Sequence, residues 1–303
     1  MKVVIIGGVA GGATAAARIR RLDEKAEIVV FERSGFISYA NCGLPYYIGG
    51  TIEDEGDLTL QTPESFYKRF RVKMNVRHEV TALHPESKMV TVKNIENGTV
   101  FTETYDKLIL SPGAKPIKPN FEGIDSDKIF TLRTVEDTLK IKKFINEKYP
   151  KSAVVVGGGF IGIEVAENLR ELGIDVTLVE AADQLMAPFD SDMASFIHAE
   201  LRKNGVNLML GRFVEGFADT DDGICVKLKN SPTLHANMVV MAIGVAPETT
   251  LAKDAGLELG IKGSIVVNDR METSVTDIYA VGDAVQIRNF VTDTDALISL
   301  AGP

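Results

Sequence analysis

Cys42 stands in the stretch "SYANCGLPYYIGG", Ser38 to Gly50, and the 303-residue chain has only one other cysteine, Cys225, far along in "GICVKLK". Pro45 suits the first turn of a helix. Cys42 therefore falls at about that helix's N-terminus, where the dipole favours thiolate over thiol. With no second cysteine in reach, an oxidised Cys42 has three forms open to it: a mixed disulfide with an external thiol, a persulfide, or a sulfenate. Cys225, with neighbours at strand spacing, reads as buried packing. His78, His84, His198 and His235 are scattered without metal-ligand spacing, so neither a metal site nor a general-base histidine is expected.

The second kind of chemistry lies in glycine turns. "KVVII" (Lys2–Ile6) runs into "GGVAGG" (Gly7–Gly12), then the helix "ATAAARIRRLD", then the strand "EIVVFER" with Glu32 at its end. About 150 residues later "SAVVV" runs into "GGGFIG" (Gly157–Gly162), the helix "IEVAENLRELG" and "DVTLVE", ending on Glu180. Each is a strand–glycine–helix–strand–acid unit. Its glycines let the backbone approach a pyrophosphate at a helix N-terminus, and its acid bonds ribose hydroxyls. Val9 stands where the first copy would have its second glycine, although Gly11 and Gly12 keep the helix entry narrow; the second copy is complete at Gly157, Gly159 and Gly162. After Glu180 come Ala181, Ala182 and Asp183, with no base to receive a 2′-phosphate, so NADH is expected rather than NADPH.

Two basic groups, Arg18, Arg20 and Arg21, then Lys68, Arg69, Arg71 and Lys73, read equally as solvated helix faces or as anion sites. The formal net charge of −9 argues against general nucleic-acid binding, which needs a basic footprint. No run reaches the roughly 20 apolar residues of a membrane helix, and "MKVVIIGG" is no signal peptide. Two cysteines in a chain that is 45% hydrophobic and 25% charged point to a globular protein of a reducing cytoplasm. The crossover segments "LILSPGAKPIKPNFEG" (Leu108–Gly123) and "MVVMAIGVAPET" (Met238–Thr249) read as the two passages between a discontinuous first domain and an inserted second one. Near the end, "TSVTDIYAVGDA" reads as a strand ending in Gly282-Asp283, with a helix expected to start beyond it.

With these pieces together the chain resembles the pyridine nucleotide–disulfide oxidoreductases, flavoproteins with two dinucleotide-binding domains, over essentially its whole length. The likeness rests on "GGVAGG" with Glu32, "LILSPGAKP", "GGGFIG" with Glu180, "AIGVAPE" and "IYAVGDA". It implies an α/β fold of two Rossmann-like, glutathione reductase-like domains: an FAD-binding domain over 1–112 and 245–303, and an NAD(P)H-binding domain over 113–244. The FAD contacts it implies are Gly7, Val9, Ala10, Gly11, Glu32, Arg33, Asn41, Val80, Ser111, Gly113, Gly282 and Asp283. Those it implies for NADH are Gly157, Gly159, Phe160, Ile161, Gly162, Glu180 and Gly244, with Phe160 gating the nicotinamide face. Glu164 reads either as a group near the flavin edge or as an exposed helix acid.

"SYANCGLPYY" further resembles the single-cysteine branch, the coenzyme A-disulfide reductases and NADH-dependent persulfide or polysulfide reductases. That resemblance implies electrons passing from NADH across FAD to Cys42, and coenzyme A as substrate or bound ligand. It places Ser38 and Asn41 beside the thiol arm and Thr14, Arg18 and Arg21 near the nucleotide end, with Arg69 and Arg71 assisting. It also implies a homodimer, formed through a C-terminal dimerisation domain that some relatives extend with a rhodanese domain. The chain stops at "ALISLAGP", in what should be a helix packing on the flavin, and so reads as truncated. Two other readings stay open: an NADH oxidase or peroxidase working through a Cys42 sulfenate, and an inactive FAD-binding fragment or redox sensor.

Overall fold

The computed structural model describes residues 1–298. Its helices are α1 (Ala10–Leu22), α2 (Leu44–Gly49), α3 (Pro63–Phe70), α4 (Val135–Lys148), α5 (Phe160–Glu171), α6 (Ser191–Lys203) and α7 (Thr250–Asp254). The chain divides into two compact units. The first holds Met1–Tyr39, Thr59–Lys115 and the chain from Ala246 on, and the second holds Ala40–Leu58 and Pro116–Val245.

The first unit is built on a parallel five-stranded sheet in the order Ile278–Ala280, Lys107–Leu110, Lys2–Ile6, Glu27–Phe31, Lys73–Asn75. Its central strand is buried along Val3, Val4, Ile5 and Ile6, as a parallel strand covered on both faces must be. The alanines of α1 allow a close seat, and Ala13, Ala16 and Ala17 are buried among Val3, Ile5, Ile28 and Val30. An antiparallel meander, His78–His84, Met89–Asn94 and Val100–Thr104, with a bulge between Val80 and Ala82, completes this core.

The second unit repeats the plan. Its parallel sheet runs Asn207–Met209, Asp175–Val179, Ser152–Val156, Met238–Met241, Ile129–Thr131, again with the strand before the glycine turn in the middle. It too carries an antiparallel meander, Val214–Thr220, Gly223–Leu228 and Leu234–Ala236. The α/β class with two Rossmann-like units is thus what the structure has. Ala40–Leu58 groups with the second unit because α2 packs on α4 and α5, whereas the sequence carried the first domain unbroken to 112.

Three expectations are corrected. No helix starts after Gly282-Asp283: the chain enters the strand Val285–Asn289, whose apolar Val285 and Ile287 alternate at strand period and pair with Ile265–Val266 and Thr294–Ala296. Cys225 is half-exposed, not buried, because Ile224, Val226 and Leu228 take the inner face of their strand and leave Cys225 on the outer one. In "ALISLAGP", Ala296 ends a strand rather than starting a helix, and 299–303 lie outside the described residues.

Candidate functional site

The first glycine turn follows the strand Lys2–Ile6. Gly7 has φ +99°, and a Cβ there would lie 2.0 Å from the Ser111 carbonyl oxygen, so only glycine fits. Val9 is the N-cap of α1 at φ −100°, outside the positive range that favours glycine, so valine can stand in the glycine's place. No side chain caps α1 and no acid occupies its first turn, so its terminal N–H groups have no competing anion. Glu32, only 8% exposed, folds back on the turn: its Oε2 accepts from the Gly8 N–H at 2.8 Å and its Oε1 from the Ser34 N–H at 2.8 Å. The Ser111 hydroxyl lies beside Gly11, 2.6 Å from where its Cβ would be. Ser38, at φ +47°, donates its N–H to the Gly8 carbonyl at 2.9 Å, bringing it to the same turn. Arg33 and Ala10 are exposed beside these, Val80 is a core residue at the meander's bulge, and Gly113 and Gly282 take left-handed φ of +70° and +83°. Asp283 follows Gly282 and is engaged in interactions of its own.

The second turn is a close copy. Gly157 has φ +110° with its Cβ position 2.4 Å from the Ala242 carbonyl oxygen, and Gly159 is the uncapped N-cap of α5. A Cβ on Gly162 would come within 1.9 Å of the Gly157 carbonyl oxygen, as one on Gly12 would of Gly7's. Glu180 mirrors Glu32: Oε2 accepts from the Gly158 N–H at 2.6 Å and Oε1 from the Ala182 N–H at 2.8 Å. Phe160 is 56% exposed on the first turn of α5, with Ile161 half-buried next to it and Gly244, at φ +118°, in the same unit. The geometry of both turns fits a dinucleotide pyrophosphate, with narrow helix entry, free N–H groups and a carboxylate alongside.

Cys42 is exposed at the centre of a 3-10 turn, Asn41–Gly43, that leads directly into α2 with Pro45 in its first turn. The turn is tied down by the Gly43 N–H to the Ala40 carbonyl at 2.9 Å and the Ala40 N–H to the Leu58 carbonyl at 3.1 Å. Asn41 Oδ1, on the residue before Cys42, is buried with no hydrogen-bond partner among the described residues. On α5, Glu164 is half-buried, and burial, then Glu167, pushes its carboxyl above the usual range. Tyr46 on α2 is likewise raised, by burial and then by the charges of Glu167, Glu164 and Glu171, so its phenol keeps its proton.

The basic residues of the first unit separate into two kinds. Thr14, Arg18 and Arg21 are exposed along one face of α1. Arg20 is not available: it donates to the carbonyls of Phe70 (2.8 Å), Glu24 (2.6 Å), Asp23 and Arg71, both at 3.2 Å, which joins α1 to the end of α3. Arg69 and Arg71 are exposed at that end, lying over the Phe70 and Tyr67 rings. Sequence reasoning missed Lys142 on α4 and Asn168 on α5, both of which meet α2. Asn168 is fully buried and Lys142 acts across 94 residues of chain, and no local spacing signals either. Among the described residues no cluster could hold a metal, and no helix is long and apolar enough to cross a membrane.

A family model for pyridine nucleotide-disulphide oxidoreductases matches residues 1–296. A coenzyme A disulfide reductase of Staphylococcus aureus is 39% identical over 300 residues, 99% of this chain and 67% of that protein. Among solved structures, reduced Bacillus anthracis CoADR-RHD is 49% identical at a TM-score of 0.97, covering 100% of this chain and 54% of that one. The NAD-dependent persulfide reductase from A. fulgidus is 36% identical at a TM-score of 0.95, over 99% of this chain and 56% of that one. The chain thus spans about half the length of both solved relatives.

Proposed function

This chain belongs to the pyridine nucleotide-disulphide oxidoreductase family, and from that membership we propose that it is an FAD-dependent reductase that uses NADH to reduce coenzyme A disulfide, a coenzyme A persulfide or a polysulfide. The observation that carries the reading is Cys42: exposed in a tied-down turn before a helix, with the other cysteine of the chain on the outer face of a separate meander. The resemblance of the family members described above supports the substrate class.

Membership implies FAD and a pyridine nucleotide. When bound, FAD supplies a two-electron relay between NADH and sulfur. The residues that would hold it are those of the first glycine turn with Glu32, Ser111, Gly113, Gly282 and Asp283; Gly157–Gly162 and Glu180 would hold NADH. Glu180 would accept from the ribose hydroxyls and repel a 2′-phosphate. Arg18 and Arg21, with Arg69 and Arg71, would receive the phosphates of coenzyme A, and Ser38 and Asn41 its thiol arm.

The Cys42 thiolate attacks one sulfur of the substrate disulfide, the substrate S–S bond breaks, and one thiolate leaves and takes a proton. The mixed disulfide left on Cys42 is reduced by the electron pair that starts on NADH, releasing the second thiol. The balance is one disulfide, NADH and a proton giving two thiols and NAD⁺. This chemistry suits a reducing cytoplasm, and the acting form is the homodimer of the full-length protein.

The test is Cys42→Ser in the FAD-loaded full-length protein. Turnover of coenzyme A disulfide is expected to fall by about two orders of magnitude or more, with the flavin absorbance and its bleaching by NADH under anaerobic conditions retained. The mass spectrum of unreduced wild-type protein should show a thiol-labile coenzyme A adduct on the Cys42 peptide. Unchanged turnover in the variant overturns the reading; a Cys42 sulfenate with oxygen-dependent NADH consumption moves the protein to the oxidases.

A further inference from the structure

Helix α2 has six residues, too few to hold its place unaided, yet it starts two residues after Cys42. Its inner side is fixed by Leu44, 1% exposed, and Ile48, 0% exposed. Its C-terminal end is closed with unusual completeness. The Tyr46 carbonyl accepts from the N–H groups of Gly50 (3.0 Å) and Ile52 (3.2 Å), and the Tyr47 carbonyl from Gly50 at 3.3 Å. The Ile48 carbonyl accepts from Lys142 Nζ at 2.8 Å, an ammonium reaching across from α4. The same ammonium lies 5.6 Å from the centre of the Tyr47 ring. From α5, the fully buried Asn168 seats against Gly49, where a Cβ would come within 2.1 Å of its Oδ1. Asn168 is held in that pose by donating Nδ2 to the Glu164 carbonyl at 2.8 Å.

We propose that Lys142 is a positioning residue for Cys42: it closes the C-terminal end of α2 from α4 and, with Asn168 on α5, fixes the helix against which the Cys42 turn is set. Resting on the proposed reductase reading, it adds a residue that acts through α2, by its contacts to the Ile48 carbonyl and the Tyr47 ring. Burial holds the Lys142 ammonium below the ordinary lysine range, the mark of a charge kept in a half-buried place for its hydrogen bond. Asn168 lies two turns after the second glycine turn on one continuous helix, so the Cys42 segment and the nucleotide turn share a support.

The experiment compares Lys142→Met, Lys142→Arg and Asn168→Ala with wild type, each as FAD-loaded full-length protein. In the Met variant, amide hydrogen exchange over 44–50 is expected to quicken by about tenfold, the loss of one charge-assisted hydrogen bond. The kcat/KM for coenzyme A disulfide should fall by a similar factor, with the KM for NADH and the flavin spectrum unchanged. Lys142→Arg, which keeps a cationic donor, should restore both, and Asn168→Ala should reproduce the Met effect from the other side. Faster exchange with unaltered kcat/KM overturns the proposal in favour of a merely structural cap, as does an Arg variant no better than Met. If wild type itself reduces no disulfide, the functional reading falls. The exchange data, and the alkylation rate of Cys42 read against Cys225 in the same digest, then still decide whether Lys142 holds the turn.

Discussion

At the residue scale the two acids Glu32 and Glu180 do the same thing in two places, each closing on the N–H of the second residue of a glycine turn. Such a carboxylate is an acceptor for ribose hydroxyls and an obstacle to a phosphate ester on them. The residues after Glu180 offer no cation. Glu180→Ala combined with Ala181→Arg is therefore expected to reverse the nucleotide preference, raising the KM for NADH and lowering that for NADPH, each by about tenfold. Steady-state kinetics with both nucleotides on one preparation checks it, and a variant that still prefers NADH would remove Glu180 from the selectivity argument. These acids were legible in sequence because they end a strand whose start and turn lie within about 25 residues. Val9 was legible only as a departure; its φ of −100° shows that the position asks for a helix cap and not for a left-handed backbone.

At the element scale what was legible is what is periodic. Both strand–turn–helix–strand units could be read because their signals lie within one local stretch of chain. The small α2–α4–α5 cluster could not, since its contacts join 44–49 to 135–171 and leave no mark on local spacing. The helix expected after Gly282-Asp283 failed for a related reason: a glycine turn at a strand end announces a change of direction, while the next element is set by its own alternation and by the strands it pairs with. Helix α6 shows a long-range contact with a measurable signature. Its His198 accepts, through Nε2, the N–H of Leu185 at 3.0 Å, so that nitrogen is unprotonated. Leu185 in turn lies against Gly158, 2.3 Å from where its Cβ would be. Burial, then Arg202, holds His198 below its ordinary value of 6.5. The unfolded chain thus binds the proton more readily, and the stability this histidine contributes is present above about that value and is lost as pH falls through the lowered one. Between about pH 7.5 and about pH 5.5 the wild type should lose some 2–4 °C more in Tm than His198→Gln, whose side-chain oxygen keeps the acceptor without titrating. Parallel losses in thermal melts would assign the acid sensitivity to other groups.

For the molecule as a whole, the formal charge of −9 sets the problem of how it would hold a polyanion. A uniformly acidic surface repels coenzyme A, so affinity has to come from a local field strong enough to work against the general one. The structure has a candidate in the first unit, where Arg20 spends its donors on the carbonyls of Phe70 and Arg71 and thereby sets the free faces of α1 and α3, with Arg18 and Arg21 on one and Arg69 at the end of the other, on a single support. Such a patch would act through screened charge, whereas the proposed attack on sulfur by Cys42 would not. Raising salt from about 50 mM to about 300 mM should therefore lower kcat/KM for coenzyme A disulfide several-fold while leaving that for polysulfide, which carries no phosphate, nearly flat. Arg18→Ala with Arg21→Ala should raise the KM for coenzyme A disulfide by about tenfold, flatten its salt dependence and leave polysulfide turnover intact. Equal effects on both substrates would mean that the arginines serve the fold and that coenzyme A is held elsewhere. A patch acting on one substrate alone would make coenzyme A, and not sulfur chemistry in general, the ligand to which this acidic surface is adapted.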